Sequence, residues 1–324
     1  MKNLKWVLFC LITSIVIVLC LGTTTIFANS NETSSKDTTS KKAPDLPSTQ
    51  ESTEIDPAGY WTEEKMKNAT PADEKLPKEN KPAPNEYDNT ESEKPGNASD
   101  PVGPKHATIN VVVPSTAGKV FFSYQGNDYV CSASAINSDA KNLIITAGHC
   151  VHGGSGEGWH SNIAFAPAYY DGDLPYGLWN WQEARTFNGW INDSNFSYDQ
   201  AFVTVRPSNG ENLIHVVGGN GLSYGYSPEQ QNVRIFGWPA EDPYDGERPY
   251  YCDGDTYKRL FSSDAYMNCD MNGGASGGPW LREIIDEDLG YVFAVTSRRS
   301  TSGTPRLYAT PNSQAVKDMF DLMD

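Results

Sequence analysis

Residues 29–105 contain no arginine and very few large apolar side chains. Sixteen Asp and Glu stand against ten Lys there, among many Pro, Ser, Thr and Asn, so burial within the stretch cannot offset the entropy of ordering it. No long apolar run follows residue 21, which excludes a chain with several membrane-spanning helices. Clustered cations are also scarce. The net charge is −16, from 25 basic and 41 acidic residues, and this argues against nucleic acid as a partner, because phosphate binding needs grouped Lys and Arg. The cysteines and histidines lack the close spacing of zinc ligands, so a zinc site is not expected. The weak acidic pairs Asp171-Gly172-Asp173 and Asp253-Gly254-Asp255 are as common in plain turns as in calcium loops.

What is present divides the chain into three parts. Lys2 and Lys5 precede an apolar run from Trp6 to Leu21 and a small-residue tail ending at Ala28, the pattern of a secretory signal peptide over 1–28. The competing reading is an uncleaved anchor with 29–105 as a stalk, since sixteen residues fall just short of the roughly 17–25 that span a bilayer. A lipid anchor at Cys20 is disfavoured by Leu19, which stands where a small residue is needed. Residues 29–105 form a disordered leader, either a propeptide or a plain linker, with one island, Ala58 to Met66. There Thr62 can cap a helical turn while Tyr60, Trp61 and Met66 provide a foothold on another domain.

Residues 106–324 carry most of the aromatic and β-branched content. Short alternating runs (GKVFFSY, YVCSASAIN, NLIITAGH, SNIAFAPAY, QAFVTVRP, VRIFGWP, GYVFAVTS, RLYATP) are separated by Gly, Pro, Asn and Asp, which predicts an all-β sandwich or barrel. One helix is predicted at the end, where Ala315, Val316, Met319, Phe320 and Met323 share a face behind Asn312 or Ser313. With the signal removed, four cysteines remain, and an even count in an exported chain predicts two disulfides. Of three connectivities, the local pairs Cys131–Cys150 and Cys252–Cys269 are expected.

Acyl transfer by a serine needs a base, a carboxylate that orients it and backbone donors for the oxyanion. His149 ends the apolar strand Leu143-Ile144-Ile145-Thr146 and is followed by Cys150, which can tether the turn. Ser276 lies in Gly273-Gly274-Ala275-Ser276-Gly277-Gly278-Pro279, where glycines let backbone amides approach a ligand. Asp199 leads into the apolar run Ala201–Val205, whereas Asp171 and Asp193 precede no such run. The nucleophile elbow of an α/β-hydrolase also matches Gly-x-Ser-x-Gly, but it requires a histidine after the serine. All five histidines precede Ser276.

TAGHC with a cysteine nineteen residues upstream, and CDMNGGASGGPW around Ser276, resemble the histidine and serine segments of chymotrypsin-like serine proteases. GYWTEEKM, WH, PYG and PYDGE are similar to segments of the bacterial, glutamyl-endopeptidase-like (V8-like) branch. The resemblance spans about 117–324 and implies two perpendicular six-stranded β-barrels with the site between them. It implies a secreted, monomeric endopeptidase of a Gram-positive bacterium, acting on proteins or peptides, off the membrane once its signal is cleaved, and without a cofactor. His149, Asp199 and Ser276 would be the triad, and the amides of Gly274 and Ser276 the oxyanion hole. The alternative is a catalytically idle, protease-shaped binding module at the cell surface. Ala275 precedes Ser276 where digestive and clotting enzymes carry an aspartate, so activation by a freed N-terminal amine is not expected.

Specificity stays open at this level. Asp270, six residues before Ser276, stands where trypsin-like enzymes bind Lys or Arg. The opposite wall would comprise Thr296, Ser297, Arg298 and Arg306, and either arginine could neutralise Asp270 or select an acidic side chain itself.

Overall fold

Consecutive residues of the predicted strands enter different apolar clusters, as expected when side chains alternate across a sheet buried on both faces. Val120, Phe122, Ile144, Phe165 and Val203 belong to one cluster. Their neighbours Phe121, Ile145, Ala164 and Phe202 belong to another, with Leu281, Val295, Val316 and Phe320 from the C-terminal half. The first set fills a barrel; the second is its outer packing. The computed structural model describes residues 32–45, 59–75, 94–105, 113–286 and 288–324. The expected signal peptide lies outside these residues, and no described helix is long and apolar enough to cross a membrane.

Six antiparallel strands close the barrel. Around the ring they are Ala117–Tyr124, Asn127–Ile136, Leu143–Thr146, Ala201–Val205, Trp179–Phe187 and Ser161–Pro167, the last returning to the first. The strand Trp179–Phe187 escapes the alternation scan because Gln182, Glu183 and Arg185 interrupt its apolar residues.

The second half has the strands for a second barrel, but hydrogen bonds divide them between two sheets. One runs Tyr250–Gly254, Val233–Gly237, Pro279–Asp286, Leu289–Val295, Gly221–Tyr224. The other runs Tyr257–Lys258, Ala265–Asn268, Arg306–Ala309, Arg298–Arg299. A bridge between Ala294 and Pro311 and the disulfide Cys252–Cys269 join them. Cys131–Cys150 is the other disulfide, so both local pairs form. The helix Gln314–Asp321 buries Val316, Met319 and Phe320, with the Phe320 ring 5.9 Å from that of Phe202. Asn312 does not cap it. Its amide instead donates to Ser223 O and Val292 O and accepts from Gln200 Nε2.

Composition gives the leader no core of its own, yet its described pieces borrow one. The strand Thr38–Lys42 extends the first sheet by pairing with residues 183–187, and Gly96–Ser99 extends the second by pairing with 222–224. The helix Glu63–Asn68 is capped by Thr62 Oγ1, which accepts from Lys65 N at 3.2 Å. Before it, Trp61 Nε1 donates to Asn162 O at 2.7 Å and Tyr60 donates to Asp128 at 2.7 Å. Trp61 and Met66 are buried in the outer cluster.

His160, at the mouth of the barrel, is buried and stacked on Phe122 with ring centroids 4.3 Å apart. Burial pushes its pKa down from 6.5 to about 3. The folded state therefore keeps it neutral while the unfolded chain protonates near 6.5, so its contribution is complete above pH 6.5 and is lost as pH falls towards 3. Urea unfolding at pH 7.0, 6.0 and 5.0 should show wild-type stability falling faster than that of His160→Phe, by up to about 1.4 kcal/mol per pH unit. Parallel pH profiles would show that His160 is not held neutral.

Candidate active site

The barrel carries His149 and Asp199 on neighbouring segments. The strand Leu143–Thr146 ends in a 3₁₀ turn, Gly148–Cys150, which holds His149, while Asp199 follows the turn Phe196–Tyr198 and leads into Ala201–Val205. Because these two strands are paired, with Thr146 opposite Ala201, the turns meet at one barrel end. His149 N donates to Asp199 Oδ1 at 2.7 Å and Nδ1 donates to Oδ2 at 2.8 Å. Ser297 Oγ, from the second half, also donates to Oδ2, at 2.6 Å. Burial is the largest influence on His149 and lowers its pKa, but the charge and hydrogen bond of Asp199, helped by the charge of Asp73, outweigh it and leave the pKa raised. His149 Nε2 is buried without a hydrogen-bond partner among the described residues.

Ser276 sits in the turn before the strand Pro279–Asp286, and two glycines make that turn fit. Gly274 has φ +99°, and a Cβ there would lie 2.5 Å from Trp238 O. Gly277 has φ +81°, and its Cβ would lie 2.1 Å from Thr146 Oγ1 and 2.3 Å from Ser132 O. Side chains are excluded at both by conformation and by space. Ser132, on the barrel strand Asn127–Ile136, holds this loop: its amide donates to Ser276 O at 2.7 Å, and its hydroxyl donates to Gly274 O at 2.9 Å while accepting from Trp238 N. Nothing in the sequence distinguishes Ser132 from the other small residues of CSASAIN. Its role comes from register.

The leader enters here. Asp73, in the turn Ala72–Lys75, accepts from Ser276 Oγ at 2.9 Å through Oδ1 and from Gly274 N at 3.0 Å through Oδ2. Ser276 is 1% exposed. Ala72 also lines a cavity of about 100 Å³ beside His149, with Phe122, Tyr129, His160 and Trp190.

Of the expected pocket residues, only some face away from the fold. Ser297 turns its hydroxyl to Asp199, as above, and Thr296 Oγ1 accepts from Trp280 Nε1 at 2.9 Å. Arg298 is buried against Asp264 and over the Phe196 and Tyr308 rings. Arg306 donates to Asn268 Oδ1 at 3.2 Å and lies 4.5 Å over Tyr266. Asp270 is exposed and accepts from the Tyr244 hydroxyl. Two groups bring candidate ligand atoms within 4.8 Å, Cys131 with His149 and Cys150, and Cys252 with Cys269 and Asp270. The sulfurs of both groups are tied up in disulfides, which leaves no thiolate to bind a metal. In the two Asp-Gly-Asp turns, Asp171 pairs with Arg248, Asp253 with Arg234, and Asp255 accepts from Asn232 N.

No protein-family model matches the chain, and no curated protein matches it. Solved structures do. The protease Anisep from Arthrobacter nicotinovorans aligns at 30% identity with TM-score 0.60, over 65% of this chain and 96% of that one. A thermostable serine protease, AL20, from an extremophilic microorganism aligns at 29% identity with TM-score 0.61, over 65% of this chain and 97% of that one. A Glu endopeptidase shares the fold at 20% identity and TM-score 0.54, over 69% of this chain and 96% of that one. With a closed barrel, a histidine–aspartate pair at its end and a glycine-framed serine on a loop that Ser132 ties to that barrel, the chain belongs to the bacterial chymotrypsin-like serine proteases.

Proposed function

We propose that the chain is a secreted serine endopeptidase that cleaves peptide bonds through an acyl-enzyme on Ser276, with His149 and Asp199 completing the triad. The observation that carries this reading is an imidazole pinned by Asp199 together with a glycine-framed serine, on a loop that Ser132 ties to the same barrel. Both His149 N and Nδ1 are bonded to Asp199, so the ring is fixed with Nε2 as its reactive nitrogen. In the reaction, Ser276 Oγ attacks the carbonyl carbon and its proton passes to His149 Nε2; the carbonyl oxygen takes the negative charge opposite the Gly274 amide. His149 then returns the proton to the leaving amine, and water repeats the cycle on the ester. Asp199 stabilises the imidazolium, helped by Ser297. The reading agrees with the two disulfides, which suit an oxidising extracellular compartment.

For the side chain before the cleaved bond, the arrangement favours Lys or Arg. Arg298 is committed to Asp264, and Arg306 rests on Asn268 and Tyr266, so neither neutralises the exposed Asp270. The acidic chain as a whole also attracts basic substrates.

In the leader-processed enzyme, Ser276→Ala and His149→Ala should each lower kcat for a peptide substrate by at least about 10⁴-fold with the fold intact. Residual activity within tenfold of wild type in either would overturn the triad. Ser297→Ala removes one of three donors to Asp199 and should lower kcat about tenfold with KM little changed. Asp270→Asn should lower kcat/KM for peptides with Lys or Arg before the cleaved bond about a hundredfold. A wild-type preference for Glu at that position would instead remove Asp270 as the receiving group.

A further inference from the structure

The leader's occupancy of the site is specific in its chemistry. At the place where an acyl group must lie, within about 3 Å of both nucleophile and oxyanion donor, the protein has put the side chain of Asp73. We propose that residues 59–75 are an inhibitor carried by the chain itself, holding the enzyme latent by clamping the Asp73 carboxylate between Ser276 Oγ and the Gly274 amide. The proposal rests on Ser276 being the nucleophile.

Three features set this contact apart from a chance approach of a leader residue. First, it reverses the hydrogen bonding that catalysis needs. Ser276 donates its hydroxyl proton to Asp73 Oδ1, and His149 Nε2, which should receive that proton, is buried with no partner among the described residues. Second, the group presented cannot react. A carboxylate is already anionic, and its two oxygens take the contacts with Ser276 Oγ and Gly274 N that a scissile carbonyl would need. It meets the oxyanion donor as the charged intermediate would, without a bond to break. Third, the contact is braced on both sides. Thr70 and Pro71 pair in parallel with Tyr129 and Val130 on the barrel strand. Ala72 and Pro71 are buried, and Pro71 packs so closely that a Cβ on Gly273 would lie 2.9 Å from its own Cβ. Upstream, the Trp61 and Tyr60 hydrogen bonds to Asn162 and Asp128 fix the helix that delivers the turn.

The test uses the full chain, kept uncleaved and verified by N-terminal sequencing. Its rate of labelling by a fluorophosphonate is compared for wild type, Asp73→Ala, Asp73→Asn and Ser276→Ala. Intact Asp73→Ala should label about ten- to a hundredfold faster than intact wild type, the loss expected for two hydrogen bonds to an anion. Asp73→Asn keeps the volume but turns an N–H or loses the charge at one contact, and should fall between them. After limited proteolysis removes the leader, wild type and Asp73→Ala are the same protein and should label equally fast. A synthetic peptide of residues 59–75 should then slow that labelling, and the same peptide with Asp73→Ala should be at least about tenfold weaker. Equal labelling of intact wild type and Asp73→Ala, together with equal potency of the two peptides, would overturn the latch while leaving the protease reading standing. Absence of labelling even after the leader is gone would overturn the role of Ser276, and the latch with it.

Discussion

Ser132 sets the distance between the two halves of the chemistry. In the proposed mechanism the base and its carboxylate are built on the barrel while the nucleophile belongs to a loop of the other half, so two packed halves sliding by an ångström would disable the site. One barrel residue prevents that by bonding three backbone groups of the facing half, Ser276 O, Gly274 O and Trp238 N. Its neighbour Cys131 is disulfide-bonded to Cys150, next to the base. The histidine turn and the serine loop are therefore referenced to the same two residues of one strand. All of these polar groups are buried, so a lost partner would leave an unsatisfied group at a cost of about 1–3 kcal/mol.

A second cross-tie runs through the carboxylate. Asp199 receives two bonds from His149 on its own barrel and one from Ser297 on the other side. Next to it, Gln200 Nε2 reaches Thr310 O and Asn312 Oδ1. The segment 199–200 thus faces inward to the base and outward to the second half at once. This explains why Asn312, which reads as a helix cap in the sequence, is buried between sheets instead, with both amide protons and the carbonyl oxygen engaged by Ser223, Val292 and Gln200.

The legible parts of this molecule are those whose signal is local. TAGHC, YDQAFVTV and NGGASGGPW each carry their reason within a few residues, an apolar strand ending in a turn or glycines where only glycines fit. The strand Trp179–Phe187 was not legible, because its buried Arg185 looks outward in the pattern and is covered by Thr38 and Ser40, about 145 residues away in the chain. Ser297 and Arg298 illustrate the limit of position-by-position reading. Both fall on the segment that would line a pocket, yet one hydroxyl turns to Asp199 and one guanidinium to Asp264, choices fixed by tertiary neighbours. Asp73 had no signal at all, being one acidic residue among sixteen in a Pro-rich leader. Only the fold shows where it lands.

The hairpin at Glu32–Lys42 has a consequence for the chain without its leader. The strand Thr38–Lys42 covers an otherwise unpaired sheet border along Glu183–Phe187. Were it to depart, that border would be left with open amides and carbonyls, the template on which β-proteins self-associate. Arg185 lies in the middle of the exposed run, and its guanidinium, now held by Thr38 Oγ1 and Ser40 Oγ and 3.5 Å from Glu183 Oε1, would lose both hydroxyls and keep only Glu183 among these partners. A guanidinium and the neighbouring Glu183 carboxylate uncovered at the centre of a bare edge must both give up water before a second copy can pair there, so the residue that spoils the strand's pattern makes that edge a costly template once it stands alone.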